Sequence, residues 1–293
     1  MNPRDFLLLV GICLIWAVNN IVSKLVVSMW HVPPLFYAAV RFAIVAAVTL
    51  PWLRPMPRPT WRIVAIGLLM GGGSFALMFV ALKSVSPSAA AVVIQAGLPI
   101  TTLLSIVILG ERIHWRRALG ITLTLLGVLV VVWKPGFAIS AGLLLVLASA
   151  AAGSLGAVLM KQMEDIAPLR FQAWVGMTSM LVLAPATVLF ETHDWAQIGA
   201  VGWQFGAAVV FSALVVSVGA HTLYYLLIAK YEANLIAPLT LITPLSTIGL
   251  GVAITGDKLD AQMIVGAIVA LSGVLIVAVR RTKAPIAEAQ EHS

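Results

Sequence analysis

Apolar runs of about 20 residues recur from one end of this 293-residue chain to the other, separated by short polar breaks, and this repetition limits the possible folds more than any other feature. A helix of that length crosses a hydrocarbon layer of about 30 Å. Within lipid each backbone amide must be paired inside its own segment or in a closed barrel, and the alternating pattern of barrel strands is missing, so the runs read as helices. Ten spans are expected, at 5–27, 33–53, 60–82, 86–109, 115–133, 138–160, 167–190, 204–229, 233–255 and 260–280. The connections are short and carry turn residues such as Pro55, Pro57 and Pro59, or Pro135 and Gly136. None is long enough for a separate domain. The first run reads as a spanning helix and not as a cleavable signal, because it runs on to Asn19, Asn20 and Lys24 among bulky residues.

With 61% hydrophobic and 10% charged residues, the chain holds more apolar surface than a water-soluble core can absorb. Its formal charge of +7 is not arranged for nucleic acid, since the cations stand singly or in twos and threes at the ends of apolar runs. Thirteen of the 18 Lys and Arg residues fall on the side of the N-terminus and four (Lys24, Lys83, Lys134, Lys258) on the other. Arg41 alone lies inside a span. That asymmetry predicts both termini on the cytoplasmic side. Residues 282–293 are polar and read as a disordered cytoplasmic tail. Cys13 is the single cysteine, so neither a disulfide nor a cysteine metal site is expected.

Gly110, Glu111, Arg112 and Ile113 are followed by Gly120 and Gly127; Gly256, Asp257, Lys258 and Leu259 are followed by Gly266 and Gly273 at the same spacing. A proline precedes each block, Pro99 and Pro244, with gaps that differ by one residue. The chain therefore divides into two repeats, 1–134 and 135–281. Five helices is an odd number, so the second repeat enters the membrane upside down. Inverted repeats of this kind place a substrate site near the midplane between the halves and support alternating access.

The residues resemble the drug/metabolite transporter superfamily in its ten-helix EamA-type form, from about residue 5 to 280. The resemblance is carried by Trp16, Asn19 and Lys24 in the first span, Pro33, Pro34 and Arg41 in the second, Ala81, Leu82 and Lys83 closing the third, and Pro99, the block from Gly110 to Arg112, Gly120 and Gly127, with a weaker copy in the last two spans. Asp257 departs from the usual glutamate. The chain looks most like bacterial amino-acid exporters, including those for aromatic amino acids. That resemblance implies outward passage of amino acids through a bacterial inner membrane, a cavity lined by the first four helices of each half, and peripheral fifth and tenth helices.

Several side chains are candidates for the cavity. Arg41 lies eight residues into its span, about 12 Å deep at 1.5 Å per residue. A charge at that depth marks a functional site by default. It can grip a substrate carboxylate in bidentate fashion or bridge helices, and both readings stand. Asn19 and Asn20 on the first span either line the cavity or join helices. Trp16 shares that helix. Pro99 has no amide hydrogen to offer the carbonyl of Gln95, which puts a polar side chain beside a bare carbonyl. Ser74, Phe75, Met78 and Phe79 form a face of the third span. His221, Tyr224 and Tyr225 stand at i, i+3 and i+4 in the eighth span, as a site or as packing. In the ninth span Asn234, Pro238, Thr240, Thr243 and Pro244 combine hydroxyls with loosened backbone. Gly67 and Gly71 allow close helix approach.

All eleven Asp and Glu residues fall at span ends, in connections or in the tail. Carboxylate-based proton antiport is disfavoured on that inventory, and facilitated diffusion is the simpler expectation. No phosphate-binding loop supports primary pumping. Neither a carboxylate pair nor a His/Cys cluster within the spans supports an enzyme. No cofactor or metal is expected; the partners are a small-molecule substrate and the lipid bilayer. Oligomeric state is left open, a monomer being compatible. Export of another metabolite or drug, or transport of a nucleotide sugar, is the alternative, although a phosphate-bearing substrate would call for more deep cations than Arg41.

Overall fold

A computed structural model of the protein describes residues 1–110, 113–133, 140–163, 166–192, 195–231, 236 and 238–278. Glu111 and Arg112, Lys134 to Gly136, Asn234 and the tail 282–293 lie outside the described residues. Nine helices among the described residues are long and apolar enough to cross a membrane: α1 (Pro3–Met29), α2 (Pro34–Leu53), α3 (Thr60–Leu82), α4 (Pro87–Leu109), α5 (Trp115–Val132), α6 (Ala141–Met160), α7 (Pro168–Phe190), α8 (Trp203–Ile228) and, last in the chain, α10 (Ala261–Ala278). Between the last two lies α9, a shorter apolar helix over Ile242–Thr255. The chain is an all-α multi-pass membrane protein.

The ends of these helices follow local chemistry. Prolines open α1, α2, α4 and α7 at their first turn, where the missing amide hydrogen removes nothing. Gly110 and Gly256 adopt left-handed φ of 70° and 67° just past the C-termini of α4 and α9. The ninth span is interrupted by a turn at Thr240 and Leu241. Around Pro238 and Pro244 the backbone uses i−3 bonds, from Leu241 N–H to Pro238 O and from Thr243 N–H to Thr240 O, and regular helix resumes at Ile242. A short helix over Trp195–Val201 interrupts the connection between α7 and α8, which the sequence reading leaves as loop.

Packing gives the inverted repeat directly. α1 lies against α8 and α9, α2 against α7 and α8, α3 against α6 and α7, α4 against α6 and α9, and α5 against α10. Exchanging each helix for its counterpart five places along maps this set of pairs onto itself, as a pseudo-two-fold axis in the membrane plane requires. The clearest instance is the α5–α10 seam. A Cβ on Gly120 would stand 2.7 Å from the Gly273 carbonyl oxygen and one on Gly273 2.6 Å from that of Gly120; Gly127 and Gly266 show the same reciprocity at 2.6 and 2.8 Å. The equally spaced glycines of the two halves are thus each other's partners, and only a hydrogen fits between them.

Equivalent helices are also irregular at equivalent places. α3 widens into π-type turns over Leu68–Gly73 and α8 over Phe211–Ala220. α4 tightens to a 3-10 turn at Ile94–Ala96 ahead of Pro99, as α9 does ahead of Pro244. Exposed Leu, Val and Ile side chains cover the lipid-facing surface, while Trp52, Trp61, Trp115, Trp133, Trp195 and Trp203 are exposed at or beside helix ends, at the level of a membrane interface.

Candidate functional site

Arg41 is completely buried at the contact between α2 and α8. Its Nε and Nη2 both donate to Ser217 Oγ, at 3.0 and 2.9 Å. Its guanidinium carbon stands 4.4 Å from the centre of the Phe75 ring, with Phe42 and Phe79 at 5.8 and 5.9 Å. An aromatic face supplies some of the attraction that water would give a cation. The remaining nitrogen, Nη1, is buried and has no partner, and no carboxylate among the described residues pairs with Arg41. A desolvated charge with one serine, an aromatic face and an idle donor is under-satisfied. Nη1 has room for one further acceptor that the described residues do not provide.

The serine that holds Arg41 belongs to a wider network crossing the repeat boundary. Ser217 Oγ donates to Ser212 O at 3.1 Å, Ser212 Oγ donates to Asn19 Oδ1 at 2.8 Å, and Tyr37 hydroxyl meets Ser212 Oγ at 2.5 Å. Since the Ser212 proton goes to Asn19, the tyrosine is the donor in that last bond. Helices α1 and α2 of the first repeat are joined in this way to α8 of the second. The π-type turns of α8 make it possible. Five residues of ordinary helix would turn Ser212 and Ser217 about 140° apart, whereas the wider turn brings both towards α1 and α2.

One step along α8 lies an aromatic cluster. His221 Nδ1 bonds to Val216 O at 2.8 Å, across the same wide turn. A carbonyl only accepts, so Nδ1 carries a proton. The Trp16 ring lies 5.2 Å from His221 and 5.0 Å from Tyr224, and its indole N–H is buried without a partner. Tyr225 continues the cluster, 6.1 Å from Tyr224 and 5.4 Å from Phe171. Antiparallel α1 and α8 therefore present two rungs, Asn19 with Ser212 and Trp16 with His221 and Tyr224, with Arg41 beside them.

The other sequence candidates divide between this region and helix seams. Phe75 and Phe79 face Arg41, and half-buried Met78 packs on the core. Ser74 instead joins α6, its hydroxyl 3.1 Å from Ser149 O while Ser149 Oγ donates back to Ser74 O at 2.8 Å. Asn20 turns to α9 and donates to Thr247 Oγ1 at 3.1 Å. Thr243 Oγ1 reaches Cys13 O at 3.4 Å on the same seam, near half-buried Thr240 and buried Pro244. Pro99 is buried in α4, and Gln95 one turn earlier is half-buried with no hydrogen bond among the described residues. Gly67 and Gly71 press on Thr178 and Ser179 of α7. Sequence reasoning missed Tyr37, Ser212 and Ser217. Tyr37 could have been found, because it sits four residues before Arg41 on the same helix face.

Carboxylates act at the membrane faces. On the face opposite the N-terminus, Glu191 accepts from Leu35 N–H and Phe36 N–H at 2.8 and 2.9 Å, closing the start of α2 from the end of α7. Asp257 does the same for α4 through Ser88 N–H at 2.9 Å and Ser88 Oγ at 2.5 Å. Lys24 donates to Leu82 O and Val85 O at 2.8 and 3.0 Å, ending α3. On the N-terminal face Asp5 accepts from Lys230 at 2.6 Å and Tyr231 at 2.5 Å.

Set against known proteins, residues 5–133 and 140–279 match the EamA-like transporter family, one copy for each half. The chain is 26% identical over 286 residues to a "Probable amino-acid metabolite efflux pump" of Salmonella typhimurium, covering 94% of this chain and 95% of that protein. It is 23% identical to a protein of the same description from Escherichia coli with the same coverage, and 25% identical to the "Uncharacterized transporter YvbV" of Bacillus subtilis, over 94% and 92% of the two chains. A solved structure titled "Crystal structure of protein" superposes with a TM-score of 0.63 over 94% of this chain and 96% of that one at 21% identity, a likeness of fold.

Proposed function

This chain belongs to the EamA-like transporter family, and from that premise we propose that it exports amino acids, aromatic and other neutral ones first, across a bacterial inner membrane. Both termini are cytoplasmic in this reading, as the excess of Lys and Arg on their side favours. The first repeat, 1–134, and the second, 135–281, rock against each other around a site between α1, α2, α3 and α8. Relatives described as amino-acid metabolite efflux pumps support the substrate class and the direction.

The observation that carries the proposal is the idle, buried Nη1 of Arg41 at the boundary between repeats. A substrate carboxylate placed there completes the guanidinium's hydrogen bonding, and its side chain extends toward Phe75, Trp16, His221, Tyr224 and Tyr225. Facilitated diffusion down the substrate gradient is the mechanism this arrangement favours, because no span carries a central carboxylate for proton exchange. Radiolabelled amino acids loaded into proteoliposomes provide the test. Efflux of at least one neutral amino acid is expected from the native protein and at most about a tenth of that rate from Arg41→Lys, which keeps the charge but loses the planar fork. Efflux of no amino acid rejects the substrate, and full activity in a well-folded Arg41→Lys rejects the role given to Arg41.

A further inference from the structure

The charge inventory around Arg41 goes further than the amino-acid reading, on which it rests. A free amino acid brings an ammonium as well as a carboxylate, and a site shaped for the zwitterion would set an acid against the ammonium. Here the described acids are all engaged at helix ends: Asp5 by Lys230 and Tyr231, Glu191 by the start of α2, Asp257 by Ser88, and Asp260 by Met263 N–H at 2.7 Å. The others in the sequence lie in connections or in the tail. What surrounds Arg41 is neutral: Ser217 Oγ and the rings of Phe42, Phe75 and Phe79, with Ser212, Asn19 and Tyr37 behind the serine. None of these groups carries the negative charge that an ammonium would be set against. An ammonium next to the carboxylate would also stand within a few ångströms of the Arg41 charge in a poorly polarisable interior, where like charges repel most.

We infer that the site recognises its ligand through the carboxylate alone, so that its substrate class is monocarboxylates with an apolar or aromatic tail, including amino acids whose amine is acylated or replaced by a 2-oxo group. The ammonium contributes nothing to recognition. Acylated and oxo forms are single anions that meet the one cation of the site without bringing a second.

Native protein in proteoliposomes tests this with four phenylalanine-shaped probes: phenylalanine, N-acetylphenylalanine, phenylpyruvate and phenylalanine methyl ester, each radiolabelled and measured for saturable flux and mutual competition. N-acetylphenylalanine and phenylpyruvate are expected to compete at concentrations equal to or below that of phenylalanine, and the ester to need more than about tenfold more. A requirement for more than about tenfold excess of either acid over phenylalanine overturns the inference and leaves amino-acid export standing. An ester as effective as phenylalanine overturns carboxylate recognition altogether. Flux of the two acids without phenylalanine supports the inference and replaces the amino-acid reading, and flux of none of the four, with no amino acid carried either, removes both.

Discussion

Replacing Gly127 by alanine tests the inverted-repeat packing at its tightest point. The added Cβ would lie 2.2 Å from Ala270 N, 2.6 Å from Gly266 O and 2.7 Å from Ala270 Cα. These are backbone atoms on a facing helix, so no side-chain rotation relieves the overlap, and α5 and α10 must part by roughly an ångström to restore van der Waals contact. Overpacking of this kind costs about 1–3 kcal/mol, and alanine's better helix propensity returns up to about 1 kcal/mol. With the full return the net loss is up to about 2 kcal/mol, at most about 8 °C in midpoint for a chain of this size. Gly11→Ala is the internal control, since nothing lies within 4 Å of its Cβ and only the propensity gain is left. Thermal unfolding of both variants, followed by size-exclusion chromatography in one detergent, gives the comparison. Gly266→Ala should match Gly127→Ala, and the double variant should lose less than the two single losses combined because both open the same gap. A Gly127→Ala protein as stable as Gly11→Ala refutes the seam.

Three further outcomes follow from the hydrogen-bond network and the helix ends. Ser217→Ala removes the acceptor of both Arg41 Nε and Nη2; a bond to a charged group is worth about 1.5–3 kcal/mol, so initial flux in proteoliposomes should fall at least tenfold in protein that still elutes as a single species. Glu191→Ala frees Leu35 N–H and Phe36 N–H at the start of α2 and should lower stability by about 1 kcal/mol, with Glu191→Gln recovering part of the loss in the same thermal assay. Lys230 ends the helix just past the apolar stretch that spans, and its hydrogen bond to Asp5 holds its ammonium above the ordinary lysine range. A raised lysine stabilises the fold at pH below its ordinary value, and the contribution goes as pH climbs through the raised one; the difference in unfolding midpoint between native protein and Asp5→Asn should stay flat from pH 6 to 9 and shrink only above the lysine range.

Much of the architecture was legible because the bilayer imposes one length on every span. Nine helices start and stop within three residues of the positions expected from hydropathy, and the ninth span is broken by a turn at Thr240 and Leu241 where two prolines locally replace its regular bonding. Equal glycine spacing in the two halves revealed a repeat but not a contact. That Gly120 faces Gly273 and Gly127 faces Gly266 depends on where the pseudo-two-fold axis passes, which spacing alone does not fix. Arg41 stood out as the one charge deep in a span. Its partners did not, for a reason specific to α8: the π-type turns over Phe211–Ala220 break the 3.6-residue period on which facing side chains are counted, and Ser212 and Ser217 then read as unrelated small polar residues. The partners of Ser74 and Asn20, Ser149 and Thr247, were not legible either, since they depend on which neighbouring helix each meets.

Counterflow tests the carrier account most directly. Proteoliposomes preloaded with a high concentration of an unlabelled neutral amino acid are diluted into a trace of the same labelled compound. An alternating site that binds one ligand at a time predicts transient accumulation of label above its equilibrium level in the native protein, and none in Arg41→Gln. A smooth approach to equilibrium without overshoot, unchanged by that substitution, contradicts it.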